Sequence, residues 1–258
     1  IEHGHFYDPD NAPEHPLVRG GDPLGVHFSA EFVHPTGAHR YLQANDGTPL
    51  KLFLSSFAWY GPRAPYVIYR YFYAALAALA KAGPFYGSHD ERPGGQRQHA
   101  QFAIDSGVPA SVVEALFALG APPTLQSWSG TFARLYLDRV VATLLLSGGL
   151  SAAAFAPGAR LAGVASATLG AMLMTLSWLN GHNRYRGSVV DQLTLAASRI
   201  ASDTGADFVV FGHTHREALS DRYANTGSFA FFLDAPGRPY LEIDRRGDRP
   251  RALRHYIV

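Results

Sequence analysis

The sequence predicts an α/β domain interrupted by a large apolar helical insert, and three stretches carry that reading. In "DFVVFGHTHREAL" (207–219), Phe208, Val209, Val210 and Phe211 form a short apolar run typical of a fully buried strand. Just before it, "GSVVDQLTLAASRIASDTG" (187–205) sets Val190, Leu193, Ala197 and Ile200 at helical spacing and stops at Gly205. Between this helix–strand unit and the N-terminal third lie two long apolar runs, "VVATLLLSGGLSAAAFA" (140–156) and "LAGVASATLGAMLMTLSWL" (161–179). Neither contains a charge.

From the N-terminus, residues 1–60 read as loop-rich. Prolines and histidines recur in "DPDNAPEHPLVRGGDPLGVHF", with short apolar runs such as "LKLFLSSFAW". The opening "IEHGH" reads as the end of a strand. "YVIYRYFYAALAALAKAG" (66–83) predicts a helix, aromatic and then alanine-rich, closing at a glycine. "PASVVEALFALGAPP" (109–123) predicts a shorter amphipathic helix, with Pro109 near its start and Gly120 at its end. The two apolar runs follow, split by "PGAR" (157–160). After the quoted strand, "YANTGSFAFFLD", "PYLEID" and "RALRHYIV" read as short strands around Gly, Pro and Asp turns. The organisation expected is therefore 1–60 with 185–258 as the α/β domain and 61–184 as the helical insert.

As helices, the apolar runs would be roughly 25–28 Å long, close to the hydrocarbon thickness of a bilayer. Gly163/Ala167 and Ser166/Gly170 recur at four-residue spacing, which lets helices approach closely in lipid. Arg134 and Arg139 precede the hairpin, Arg184 and Arg186 follow it, and the turn carries only Arg160. The positive-inside rule then puts both ends on the cytoplasmic side of the inner membrane. The alternative is a buried hairpin in a soluble cap, which would leave the protein cytoplasmic. The aromatic run Tyr66–Tyr73 suits a helix core or a membrane-interface belt.

Composition narrows the chemistry. A net charge of +1 gives no reason to expect nucleic acid. Charged residues make up 17%, below the usual quarter, which favours much buried or lipid-facing surface. The absence of cysteine removes disulfides, thiolate zinc sites and cysteine nucleophiles. Metal would have to be held by His, Asp, Asn or Glu.

His213 and His215 stand two apart where a buried strand stops, so an extended chain would project both imidazoles from one side. "HGH" (3–5) repeats that arrangement at the other apparent strand end. If the strands share a sheet, His3, His5, His213 and His215 converge at one rim. Imidazole with carboxylate suits Mn, Fe(II), Co, Ni or Zn. Two such ions would activate a water for attack on phosphorus and neutralise the transferring phosphoryl group. Asp8, Asp10 and Asn11 in "YDPDN" lie near the first pair, and Arg216 follows the second within reach of a phosphate. Asp8, Asn11 and Arg216 are the candidates for contact with substrate. The other histidines are scattered.

"FVVFGHTHRE", with "NTGSF" (225–229) after it, resembles the C-terminal signature of calcineurin-like metallophosphoesterases. "IEHGHFYDPDN" is similar to the preceding histidine motif in the branch that includes UDP-2,3-diacylglucosamine hydrolases. The resemblance implies a partial β-sandwich flanked by helices and a two-metal centre, with Mn²⁺ the leading ion. His3 and His213 would bind one metal and His215 the other, and His5 would act beside the substrate as a catalytic group. The family also needs Asp-x-His, Gly-Asp and Gly-Asn-His motifs ahead of the HGH segment. None precedes it here. "GGD" (20–22) and "GSHDE" (87–91) come after it, and Ser88 stands where the family uses a ligating Asn. The expectation is an N-terminally truncated piece of a membrane-associated phosphoester hydrolase, inactive alone, whose substrate is an amphipathic or lipid-linked phosphoester. The contrasting expectation is a non-catalytic membrane-associated domain with degenerate histidine clusters.

Overall fold

The structure, a computed structural model, describes residues 3–13, 17, 21–43, 49–83, 93–181, 188–214, 217–227, 237–244 and 251–257. Its helices are α1 (Leu24–Phe28), α2 (His34–Thr36), α3 (Arg40–Gln43), α4 (Pro49–Tyr60), α5 (Ala64–Lys81), α6 (Pro93–Ser106), α7 (Ala110–Phe117), α8 (Trp128–Arg134), α9 (Leu137–Phe155), α10 (Arg160–Leu179) and α11 (Ser188–Thr204). Its strands are β1 (Val209–Phe211), β2 (Glu217–Leu219), β3 (Tyr223–Thr226), β4 (Arg238–Asp244) and β5 (Arg251–Ile257). The class is mixed α/β, dominated by helix.

β3 lies at the centre of a three-stranded sheet, parallel to β1 and antiparallel to β2. β4 and β5 form a separate antiparallel pair. All three residues of β1 are buried, as its unbroken apolar run requires. α11 covers the sheet with the face its spacing marks out. Leu193, Ala196, Ala197 and Ala201 pack with Val209, Phe211 and Tyr223, and Tyr7 from the N-terminal segment completes this core.

Two further cores form around α5. Its Ala75, Ala78 and Leu79 meet Leu24, Leu125, Leu135 and Leu137. Its Val67 and Ala74 meet Phe32, Val33 and Ala38. His27 is buried here with Nε2 3.0 Å from the Ala74 carbonyl, a core histidine satisfied by backbone.

The first sixty residues differ from the loop-rich expectation. Residues 24–36 are almost continuously helical through α1, a π-turn at Ser29–Val33 and α2, and "LKLFLSSFAW" lies within α4. Prolines mislead here because they start helices rather than break them. Pro23 caps α1, Pro35 sits in the first turn of α2, and Pro49 opens α4. A helix's first turn needs no proline N–H.

α9 and α10 form an antiparallel hairpin whose seam is made of small residues. Added to Gly149, a Cβ would lie 2.6 Å from the Gly163 carbonyl oxygen. At Gly163 it would lie 2.7 Å from the Gly149 oxygen, and at Gly170 2.7 Å from the Ala142 oxygen. Ser166 Oγ donates to the Leu145 carbonyl at 3.0 Å. At the root, Arg139 donates to Ser177 Oγ (3.0 Å) and to the Gly181 carbonyl (2.7 Å). The outward side is mostly apolar, with Leu144, Phe155, Leu161, Met172 and Leu179 exposed, and the hydroxyls of Thr143, Ser147, Thr168 and Thr175 there donate to carbonyls four residues earlier. Residues Leu137–Phe155 and Pro157–Leu179 have mean hydropathies of 1.3 and 1.4, and both are long and apolar enough to cross a membrane. Only 17% of each is buried, whereas a core helix of a soluble protein would be mostly covered.

Candidate functional site

β1 delivers the chain to the site and then has to turn sharply. Gly212 donates its N–H to the His3 carbonyl at 3.2 Å, which stitches the two histidine segments together. His213 follows at φ 67°. A non-glycine residue in the left-handed region is costly and persists only where its surroundings enforce it. Asn225, 1% exposed on β3, is that surrounding. Its amide donates to the Gly212 carbonyl (2.5 Å) and Thr214 Oγ1 (3.1 Å), and its oxygen accepts the Gly227 N–H (3.1 Å).

The other segment is bent by Gly4, at φ 92°. A Cβ there would lie 3.2 Å from Leu193 Cδ2 and 3.4 Å from Phe211, so this backbone lies directly on the core. No extended strand is described here. The expected strand at 1–2 lies outside the described residues, and His5–Tyr7 form one 3₁₀ turn. Tyr7 anchors the turn in the core, while His3 and His5 stay exposed. The His3 and His213 ring centres are 5.1 Å apart, edge to face, and those of His3 and His5 are 5.4 Å apart.

Behind His213 sits Asp8. Its Oδ2 is 2.8 Å from His213 Nε2 and accepts the Asn11 amide at 2.7 Å. Its Oδ1 accepts the Asp10 backbone N–H at 3.0 Å. Burial pushes the Asp8 carboxyl upward, but the bonds from His213, Asn11 and Asp10 outweigh it and hold the group below the usual carboxylate value. Asp8 and Asn11, expected near substrate, thus aim their polar groups at each other and at His213. Asp10 points away from them. It accepts Arg134 Nε at 2.8 Å and Thr124 Oγ1 at 2.6 Å, clamping the segment to the insert. His215 and Arg216 lie outside the described residues.

The lowered carboxyl has a consequence for acid stability. Asp8 stabilises the fold above its unfolded pKa of about 3.9, and that contribution is lost as pH falls through its lower folded value. The melting-temperature difference between the wild type and Asp8→Asn is expected to be largest near pH 6 and to shrink toward pH 3. A pH-independent difference would contradict the assignment.

The sequence offers Asn225 as the shaper of a turn near the site, as its bonds to Gly212 and Gly227 show, and gives Arg134 no part in holding the site. The only signal for Asn225 was its place before Gly227 in "NTG", which reads as turn chemistry. Arg134 read as a membrane-flanking charge.

The donors present suit a borderline divalent metal: the exposed imidazoles of His3 and His5, the half-buried imidazole of His213, and a carboxylate behind the last. Two imidazoles bound to one ion through nitrogens about 2 Å away have ring centres about 5 Å apart, the spacing His3 and His213 hold. Among the described residues, no three His, Asp or Glu side chains close into a complete ligand set. No protein-family model, curated protein or solved structure matches the chain.

Proposed function

We propose that the chain contributes the histidine half of a divalent-metal phosphoester hydrolase held at the cytoplasmic face of a membrane by the α9–α10 hairpin. The observation that carries this reading is the pairing of His3 and His213 at 5.1 Å from opposite ends of the sequence. His3 and His213 would hold one ion and His215 a second, and the small sheet would be the C-terminal part of a metallophosphoesterase sandwich. Ions of this type, Mn²⁺ first among them, lower the pKa of bound water and neutralise phosphoryl charge.

The chain's own residues do the rest. Asp8 fixes the His213 ring through Nε2 and leaves Nδ1 as the ligating nitrogen. A carboxylate behind a ligating imidazole also raises its basicity. Asn225 and Gly212 hold the turn that presents this ring. His5, exposed beside His3, is placed to pass a proton to a leaving oxygen. The hairpin brings an amphipathic or lipid-linked phosphoester to this surface.

Because no third His, Asp or Glu completes a ligand set among the described residues, the 258 residues should turn over bis(p-nitrophenyl) phosphate poorly even with Mn²⁺. They should still bind metal. Titration of the detergent-purified chain with Co²⁺, followed by its visible absorption, is expected to saturate at a defined stoichiometry. Titration with no specific site would return the protein to a non-catalytic membrane domain.

A further inference from the structure

α4 is apolar on both of its sides. Its inward side sets Leu52, Trp59 and Tyr60 around Ser56, which is fully buried and bonds the Tyr41 hydroxyl and the Leu52 carbonyl. Its outward side presents Leu50, Phe53, Leu54 and Phe57, at i, i+3, i+4 and i+7, all exposed, with Leu54 at 59%. Water favours a polar outward face. α5, packed against it, carries a second outward row of Tyr66, Tyr69 and Tyr73, all exposed. Residues 49–81 contain Lys51, Arg63, Arg70 and Lys81 and no acidic residue.

We infer that α4 and the tyrosine row of α5 lie in the headgroup region of an anionic bilayer, as an in-plane platform beside the α9–α10 hairpin. Three features select lipid as the occupant. The first is composition, since leucine and phenylalanine bordered by tyrosine and basic residues match a membrane interface. Arg70 is paired with Glu31 at 3.8 Å, and the basic excess that remains, Lys51, Arg63 and Lys81, attracts anionic headgroups. The second is length. α4 has 12 residues, about 18 Å, too short for a hydrocarbon core of about 30 Å, so it lies in the surface rather than across it. The third is continuity. Ala75, Ala78 and Leu79, on the opposite side of α5 from the tyrosine row, pack directly on Leu135 and Leu137 at the root of α9, so the helix that carries the row is fixed to the segment that would enter the membrane. The inference rests on the membrane reading of the hairpin, which puts lipid within reach of α4.

The chain has no cysteine, so one nitroxide can be attached at a time without background. Leu54→Cys, Thr168→Cys in the hairpin and Ser202→Cys on the exposed side of α11 would be labelled in the full chain. Each would be reconstituted in phosphatidylcholine–phosphatidylglycerol vesicles, and depth read by power saturation with oxygen and a water-soluble nickel chelate. The expected order is position 168 deepest, 54 roughly 5–10 Å below the headgroup boundary, and 202 in water. If 54 is as water-exposed as 202 while 168 is in lipid, the platform is wrong and the hairpin reading stands. If 54 and 168 are both in water, both readings fall. If 54 is shielded from oxygen and nickel alike and shows spin–spin broadening, the face is covered by a second copy, and the platform is again wrong.

Discussion

His213→Ala is expected to weaken Co²⁺ binding by more than about a hundredfold, and Asp8→Asn by about 10- to 100-fold. The grading follows from geometry. In the proposed centre His213 would supply a nitrogen to the ion, whereas Asp8 touches the ring from the other side, 2.8 Å from Nε2. Asparagine keeps the shape of Asp8 but loses the charge that raises imidazole basicity. The carboxylate could instead serve a substrate, and then Asp8→Asn would leave metal affinity unchanged and alter only the Michaelis constant of the active protein. Calorimetry with Mn²⁺ on the three proteins decides the matter. Equal affinity in wild type and His213→Ala would remove His213 from the centre.

The second large effect is in the hairpin, where two adjacent glycines should behave oppositely. A Cβ on Gly149 would meet the Gly163 oxygen at 2.6 Å and Ala167 Cα at 2.9 Å, both backbone atoms that cannot swing aside. A Cβ on Gly148 meets nothing within 4 Å. Gly149→Val is therefore expected to force the helices apart and cost about 3 kcal/mol or more, while Gly148→Val should be close to neutral. Thermal unfolding in detergent micelles reads the difference. Comparable melting temperatures for the two variants would mean that α9 and α10 do not share this seam.

Much of the architecture was legible because local and tertiary demands agree. Val190, Leu193, Ala197 and Ile200 repeat at the helical period, and Leu193 and Ala197 are buried where the period places them. The unbroken run at 208–211 is buried over Val209–Phe211, while Phe208 stays half-buried ahead of the strand. The hairpin showed itself through the absence of charge. The helices of residues 24–60 were hidden by prolines acting as helix starters, and α4 by an apolar face turned outward, which defeats any reading that assumes hydrophobic means inside. At the site, residue types were legible and relationships were not. Nothing local to "HTH" announces that His213 takes a left-handed conformation, since that depends on a buried asparagine on a neighbouring strand. Nor does "YDPDN" announce that its first aspartate will meet a ring 205 residues away. Asp8 and Asp10 look equivalent in sequence, yet one turns to the histidine and the other to Arg134.

That division of labour constrains how the protein can change. Asp10 and Arg134 bury opposite charges against each other, with side chains only 14% and 15% exposed. Removing one member of such a pair strands the other without solvent and typically costs 3–5 kcal/mol, whereas replacing both with well-fitted apolar groups is often tolerated. Single-step drift at either position is therefore selected against while joint exchange stays open, so the two should covary in descendants of this sequence. Their fates are bound together because one anchors the loop that carries Asp8 and the other stands at the foot of the hairpin.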